Sequence, residues 1–344
     1  MPARPPAVAR VLERATRTAR RHEMFPPGRT VLVSCSGGPD SICLLHALHR
    51  LRRLLRLRLE IFHFDHRLHE SSGAHGTYVL RQAQRLGLPF HLRAAEDAPA
   101  RGESPEAWAR LARYAALTQV ATERGIERAA VAHTQDDQAE TVLLGLFRGG
   151  GLEAVAGIAP VATVPPLGLT VVRPLLDVTR EEVEGFCRSL RLRPREDPTN
   201  LDLRFLRNRI RLRVLPRLER ELDRNLRATL ARVAGRVRED AAYLDALASA
   251  AAREVVEVDE GEVRLRVARL GALVPPVASR VARDALRVAA VMAGSWNADV
   301  EAAHVEALLD LASGRPGRAA DLPGPLKARR DREYVRLTPE GEGT

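Results

Sequence analysis

Val31-Leu32-Val33-Ser34-Cys35-Ser36-Gly37-Gly38-Pro39-Asp40-Ser41-Ile42 is the stretch that decides the fold. Its apolar opening reads as a short, buried parallel strand. Beyond the loop, Ile42, Leu44, Leu45, Ala47, Leu48 and Leu51 recur at helical spacing. A glycine-rich turn from strand to helix is where an α/β sheet binds phosphate. Backbone N–H groups at the helix start face the anion, and glycines let the backbone approach it. Ser36 and Ser41 add hydroxyl donors. Asp40 would repel a phosphate unless a cation lay between them, so it reads as facing Mg²⁺. No Gly-Lys-Ser/Thr ending is present, which excludes a Walker loop.

Working outward, further strands fit residues 57–64, 89–93, 129–132 and 171–173, and helices fit 6–23, 76–86, 104–123 and 136–147. Thr179-Arg180-Glu181-Glu182 is a capping box that opens another helix. Alternating strands and helices predict an α/β fold, a parallel-sheet nucleotide-binding domain of Rossmann-like type. The pattern changes after about residue 215. Residues 217–252 are nearly all helical, 276–312 add two more helices, and a strand-like pair at 254–258 and 262–267 interrupts them. The expected organisation is a catalytic domain over 1–215 and a smaller, mostly helical domain over 216–344. A chain of 344 residues accommodates both.

Composition narrows the function. The three cysteines, Cys35, Cys43 and Cys187, form no Cys-x-x-Cys pair, which argues against a disulfide framework, structural zinc or an iron–sulfur cluster. No apolar run approaches the roughly 20 residues that span a bilayer, and the Arg-rich start lacks a signal-peptide core. A cytoplasmic location without membrane attachment is expected. The net charge of +10 points to a polyanionic partner. Lys327 is the sole lysine among 54 basic residues, so a compositional bias sets arginine over lysine, but it leaves the positive excess unexplained. The sequence leaves the oligomeric state open, a homodimer included.

His133-Thr134-Gln135-Asp136-Asp137-Gln138-Ala139-Glu140-Thr141 follows the fourth strand, beside the expected cleft. A helix beginning near Asp136 puts Asp136, Asp137 and Glu140 on one face. Acids at a helix start are favoured by the dipole alone. Capping needs only one of the three, so a metal–phosphate or amine-binding site explains the group better. Ala109-Arg110-Leu111-Ala112-Arg113-Tyr114 places two arginines where a planar fork could grip phosphate or adenylate, or form a solvated face. Arg204, Arg207, Arg209, Arg211, Arg213 and Arg217 flank a stripe of Ile210, Val214 and Leu218. That amphipathic segment presents either an RNA-backbone contact or a solvated cationic face.

Together these segments resemble the tRNA(Ile)-lysidine synthase family. The loop hexamer 36–41 alone is similar to the SGGxDS pyrophosphate loop of a superfamily that cuts ATP between the α and β phosphates. More specific are HTQDDQAETVLL at 133–144 and DPTNLDLRFLRNRIR at 197–211, with DHRLHESS at 65–72, ARLARY at 109–114, RGGGLEAVAGI at 148–158 and RPLL at 173–176 between or around them. The resemblance covers about residues 29–220, and the tail from Asp321 to Leu337 looks like the end of the family's second domain. Longer members carry a further C-terminal tRNA-binding domain, and the chain looks like a short form. The resemblance implies an ATP-dependent ligase that joins free lysine to C2 of the wobble cytidine of tRNA(Ile) with a CAU anticodon, through an adenylated tRNA. It implies that Ser36, Gly37, Gly38, Pro39, Asp40 and Ser41 hold ATP, that Asp40 and Asp137 face Mg²⁺, and that Arg113 holds the adenylate phosphate. His133 would touch nucleotide or base. Asp137 and Glu140 would take the lysine ammonium or the metal, with the lean towards the amine for Glu140. Arg204, Arg207 and Arg211 would meet the tRNA. Rival readings are a tRNA thiolase, a small-molecule amide synthetase, and a non-enzymatic RNA-binding scaffold. Thiolases use paired cysteines, which are absent, and a small-molecule synthetase does not need the charge.

Overall fold

The computed structural model describes residues 5–67, 72–99, 105–148, 151–164, 168–195, 201–259, 261–294, 300–322 and 326–339. It divides into two compact units, Met1–Arg238 and Glu239–Thr344. The expected boundary at 215/216 falls earlier, inside a run of helix. The long helix α10 continues through the observed one.

The first unit opens with α1 (Pro6–Arg21), β1 (Thr30–Ser34), α2 (Pro39–Leu51), β2 (Arg58–Asp65), α3 (Ser72–Leu86), β3 (Phe90–Ala94), α4 (Pro105–Glu123), β4 (Arg128–Ala130) and α5 (Gln135–Phe147). It continues with α6 (Leu152–Val155), β5 (Val161–Val164), β6 (Leu169–Val172), α7 (Arg180–Ser189), α8 (Leu206–Arg209), a π-helical turn (Ile210–Val214), α9 (Leu215–Leu222) and the start of α10 (Leu226–Val255). The sheet runs β3-β2-β1-β4-β6-β5, parallel except for the edge strand β5, which pairs antiparallel with β6. The sequence reading places the five parallel strands and misses β5, a short partly buried segment whose pairing is set only by its hairpin with β6.

Side chains alternate across β1, as a pleated strand requires. Val31 and Val33 join a core built with α1, α2, α3 and α7, while Leu32 packs with Phe62 and with Leu117, Val120 and Ala121 of α4 on the other face. Both faces are therefore covered, which explains why β1 carries no polar alternation. The chain passes from β1 to β2 on one side and reaches β4 on the other. The order reverses at β1, and the loops leaving β1 and β4 flank the crevice where open α/β sheets bind ligands.

The second unit contains β7 (Val256–Asp259), β8 (Glu262–Arg266), α11 (Val267–Gly271), α12 (Pro275–Met292), α13 (Ala302–Ser313), β9 (Ala319–Leu322), β10 (Leu326–Arg330) and β11 (Tyr334–Pro339). Its antiparallel sheet runs β7-β8-β11-β10-β9 over a core that includes Val281, Leu286, Leu308, Val335 and Leu337. The expected strand pair is β7–β8. The other three strands make this unit less helical than expected. None of the described helices is long and apolar enough to cross a membrane.

Candidate active site

The chain leaves the sheet at Cys35, one residue past the last paired position Ser34↔Phe62. The Cys35 carbonyl loses a ladder partner there and accepts a hydrogen bond from His63 Nδ1 at 2.8 Å instead. His63 is 2% exposed, and its other nitrogen is buried with no hydrogen-bond partner among the described residues. The loop then turns at Gly37, whose φ of +95° suits glycine. Ser41 Oγ accepts from Gly37 N–H at 3.1 Å and donates to the Gly38 carbonyl at 2.9 Å. Ser41 thus braces the loop from beneath, while Ser36 stands exposed at its rim. Gly38 caps α2 and Pro39 occupies its first turn, where a missing N–H costs nothing.

Above the loop lies a cleft of about 690 Å³. Ser36, Gly38, Pro39, Asp40, Ser41, Arg113, His133, Asp137, Arg204, Arg207 and Arg211 line it, so most of the expected site residues converge. Glu140 and Gly37 are not on its wall. Phe64, His66, Arg110, Arg180, Asp202 and Asn208 line it too, beyond the expected set. Arg110 and Arg113 of α4 stack their guanidinium carbons 5.1 and 5.6 Å from the Tyr114 ring centroid.

The three acids of α5 divide their tasks. Asp136 accepts from the Arg180 backbone N–H at 2.8 Å and pairs with Arg227 at 2.8 Å, tying the starts of α7 and α10 to α5. Asp137 completes a capping box with Thr134 through Oδ2, at 2.8 Å from the Thr134 N–H. Its Oδ1 receives longer contacts of 3.2 Å from both Arg207 and Arg211. Glu140 is fully buried. Arg207 Nε donates to one of its oxygens at 2.8 Å and Arg211 Nε to the other at 2.5 Å. Arg207 and Arg211 are thus held in a four-charge cluster at the cleft wall. Arg204, the third of the expected RNA contacts, has an 88% exposed side chain and a 2.7 Å pair with Asp202.

The π-helical turn explains this arrangement. The sequence stripe runs Ile210, Val214, Leu218 at fourfold spacing. The wider turn instead buries Ile210 and Leu215, five residues apart, in a cluster with Ala139 and Leu143 of α5. That packing anchors the segment against α5 and sets Arg207 and Arg211 on its acids.

Asp40 is the electrostatically unusual residue. Burial pushes its carboxyl up to about 7, Asp137 and Asp136 add to the rise, and Arg180 and Arg211 oppose it. A desolvated carboxyl beside another acid is short of positive charge, which a divalent cation supplies. Among the described residues no three His, Cys, Asp or Glu side chains cluster to hold a metal. Mg²⁺ suits the pair nonetheless, because it is commonly bound by one or two carboxylates together with substrate phosphates.

His133, at the carboxyl end of β4, accepts from Arg173 Nε at 3.0 Å through Nδ1. Burial holds the imidazole well below its ordinary pKa, Asp137 opposes this, and Arg173, Arg110 and Arg113 reinforce it. Neither Arg173 nor His63 is among the site residues expected from the sequence, although Arg173 opens the RPLL segment at 173–176. For Arg173 a signal existed in its place at the carboxyl end of the strand expected at 171–173. His63 sits mid-strand, where only the fold shows which carbonyl it meets.

A mostly parallel sheet with a Ser-Gly-Gly-Pro-Asp-Ser loop at its switch point and acids on the neighbouring helix α5 defines a PP-loop ATP-binding domain, and the PP-loop domain family matches residues 10–218. The tRNA(Ile)-lysidine synthase of Salinispora tropica is 40% identical over 92% of the chain and 93% of its own length. That of Dehalococcoides mccartyi is 35% identical over 94% of the chain and 69% of its length, and that of Symbiobacterium thermophilum is 44% identical over 67% of the chain. The chain spans about half the length of the Symbiobacterium protein, 48%. The chain belongs to the tRNA(Ile)-lysidine synthase family. Among solved structures, the U34-tRNA thiolase NcsA from Methanococcus maripaludis with its [4Fe-4S] cluster shares the fold, with a TM-score of 0.58 and 16% identity over 68% of this chain and 80% of that one.

Proposed function

We propose that the chain is an ATP-dependent ligase that joins free lysine to C2 of the wobble cytidine of a CAU-anticodon tRNA(Ile). The observation that carries this reading is the meeting, in one cleft, of a phosphate loop with an acid–arginine cluster. One end suits a nucleotide, and the other suits an amine. ATP lies with its β and γ phosphates on the loop 36–41, where the α2 N-terminus and the Gly38 N–H group meet negative charge. Asp40, with Asp137 beside it, would hold Mg²⁺, which would neutralise phosphate charge. Arg113 and Arg110 hold the phosphate that stays with adenosine. The cytidine C2 oxygen forms a bond to the α-phosphorus as the bond to pyrophosphate breaks. The lysine ε-amine, having lost a proton, then forms a bond to C2, and AMP leaves with the former C2 oxygen.

Asp137 Oδ1 is the acceptor for the lysine ammonium, because it borders the cleft and its two arginine contacts are long. Glu140 supports it from behind by fixing Arg207 and Arg211. This places the amine on Asp137 where the sequence reading leaned towards Glu140. Arg204, exposed at the rim, meets the tRNA backbone, and the net charge favours the polyanion generally. The work is positioning and electrostatics, and no activated side-chain nucleophile is required. Acting on tRNA with ATP and free lysine places the enzyme in the cytoplasm. Single-turnover assays with labelled ATP test the order of steps. Adenylated tRNA should accumulate when lysine is withheld, and its absence would remove the proposed intermediate.

A further inference from the structure

We propose that Arg173 is a positioning residue that locks His133 into a single neutral tautomer, making it a permanent hydrogen-bond donor to the nucleotide. The proposal rests on the ATP-binding reading for its last step only. The lock itself is a property of the ligand-free chain.

Arg173 is the first residue beyond β6, and His133 stands just beyond β4. The two strands are parallel neighbours, paired Ala130↔Val172, so both side chains emerge at the same carboxyl edge of the sheet. Arg173 Nε lies 3.0 Å from His133 Nδ1. A guanidinium has donors only, so Nδ1 must be the lone-pair nitrogen, and the imidazole proton resides on Nε2. An imidazolium would turn an N–H towards the arginine N–H and add a cation beside Arg173, Arg110 and Arg113.

The arginine is built to hold that place. It is 6% exposed, its other branch donates to the Ala159 carbonyl at 2.7 Å, and its backbone N–H donates to the Pro160 carbonyl at 2.9 Å. The receiving loop is itself fixed. Gln138 accepts from the Ile158 N–H at 2.6 Å, and Arg238 donates to the Ile158 carbonyl at 2.9 Å. A planar fork spanning a histidine and a carbonyl leaves the ring little freedom to turn. His133 lines the cleft with its protonated nitrogen as the one not engaged by Arg173. It therefore serves as a fixed neutral donor to an acceptor atom of ATP, with no part as a general base.

The test is nitrogen-15 NMR of the histidine-labelled 344-residue chain, with His133→Gln identifying the resonances, alongside steady-state kinetics. In the wild type, Nδ1 should give an unprotonated shift and Nε2 a protonated one. Arg173→Met should mix or invert the tautomers and raise KM for ATP about ten- to hundredfold, leaving KM for lysine within about twofold. Arg173→Lys keeps one donor and should restore the wild-type tautomer with a smaller KM change. Thermal melts show which variants fold, and Arg173→Lys carries the comparison where Arg173→Met does not. A protonated Nδ1 in the wild type, or an unchanged tautomer in a folded Arg173→Met, overturns the lock. A shifted tautomer with unchanged KM for ATP overturns the donor role. Wild-type protein that fails to consume ATP removes the functional reading and leaves the tautomer result standing.

Discussion

Replacing Glu140 with glutamine tests whether the acid–arginine cluster holds the cleft wall. The wild-type cluster carries two positive and two negative charges. Its side chains are 25% (Arg207), 21% (Arg211), 14% (Asp137) and 1% (Glu140) exposed. Glutamine preserves the shape but removes one negative charge, leaving one arginine uncompensated. Its NH₂ also turns a donor towards a guanidinium, where Arg211 Nε now donates at 2.5 Å and Arg207 Nε at 2.8 Å. Breaking a buried pair by removing one partner costs about 3–5 kcal/mol. The arginines are partly in contact with solvent, so the lower end, about 3 kcal/mol, applies. For a unit the size of Met1–Arg238, that lowers the melting temperature by about 6–12 °C. Calorimetry of wild type and Glu140→Gln in the same buffer measures it. A drop below 2 °C would mean the arginines find equivalent partners in water, and the anchoring role assigned to Glu140 would be wrong.

Further expectations concern Asp40, Asp137 and the rim. Asp40→Asn should cut turnover by about 10²–10³, as loss of one electrostatic stabiliser does; near-normal rates at saturating Mg²⁺ and ATP would exclude the metal-facing role. The same substitution has a stability signature. Asp40 rises from 3.8 to about 7 on folding, so the native state binds the extra proton between those values and its stability falls as pH rises through that window. Ligand-free Asp40→Asn lacks that slope and should gain in melting temperature over wild type from pH 4 to pH 8; parallel curves would contradict the burial. Asp137→Ala should raise KM for lysine more than KM for ATP in an aminoacid-dependent AMP-release assay, and the reverse order would assign Asp137 to the nucleotide. Arg204→Glu should weaken tRNA binding and flatten its salt dependence by about one unit of log–log slope while leaving the melt unchanged. Arg207→Glu should instead lower the melting temperature, and a reversal of that contrast would place Arg207 on the RNA.

Much of the first unit was legible in the sequence because its signals are local. The strand, glycine turn and helix at 31–51 are contiguous, and Thr179 announces its helix through a capping box that needs only a few residues; the box that Thr134 forms with Asp137 emerges from the fold. What escaped depends on contacts distant in sequence. The arginines at 207 and 211 read as either an RNA contact or a solvated cationic face, because nothing local reveals that a π-helical turn seats them on acids of α5. The same turn moves burial from Val214 to Leu215, a shift invisible to a fixed helical period. Strands β9 to β11 were missed for a related reason. Their arginines, such as Arg329 and Arg336, alternate with only two or three core residues per strand. The register that makes them a sheet comes from one another.

The proposed activity is tested most simply by incubating the purified chain with ATP, Mg²⁺, labelled lysine and a CAU-anticodon tRNA(Ile) transcript. Lysine should enter the tRNA at the wobble cytidine, with one AMP and one pyrophosphate released per lysine and no incorporation when any of ATP, lysine or tRNA is left out. Release of pyrophosphate without tRNA, or tRNA that remains free of lysine while ATP is consumed, would contradict it.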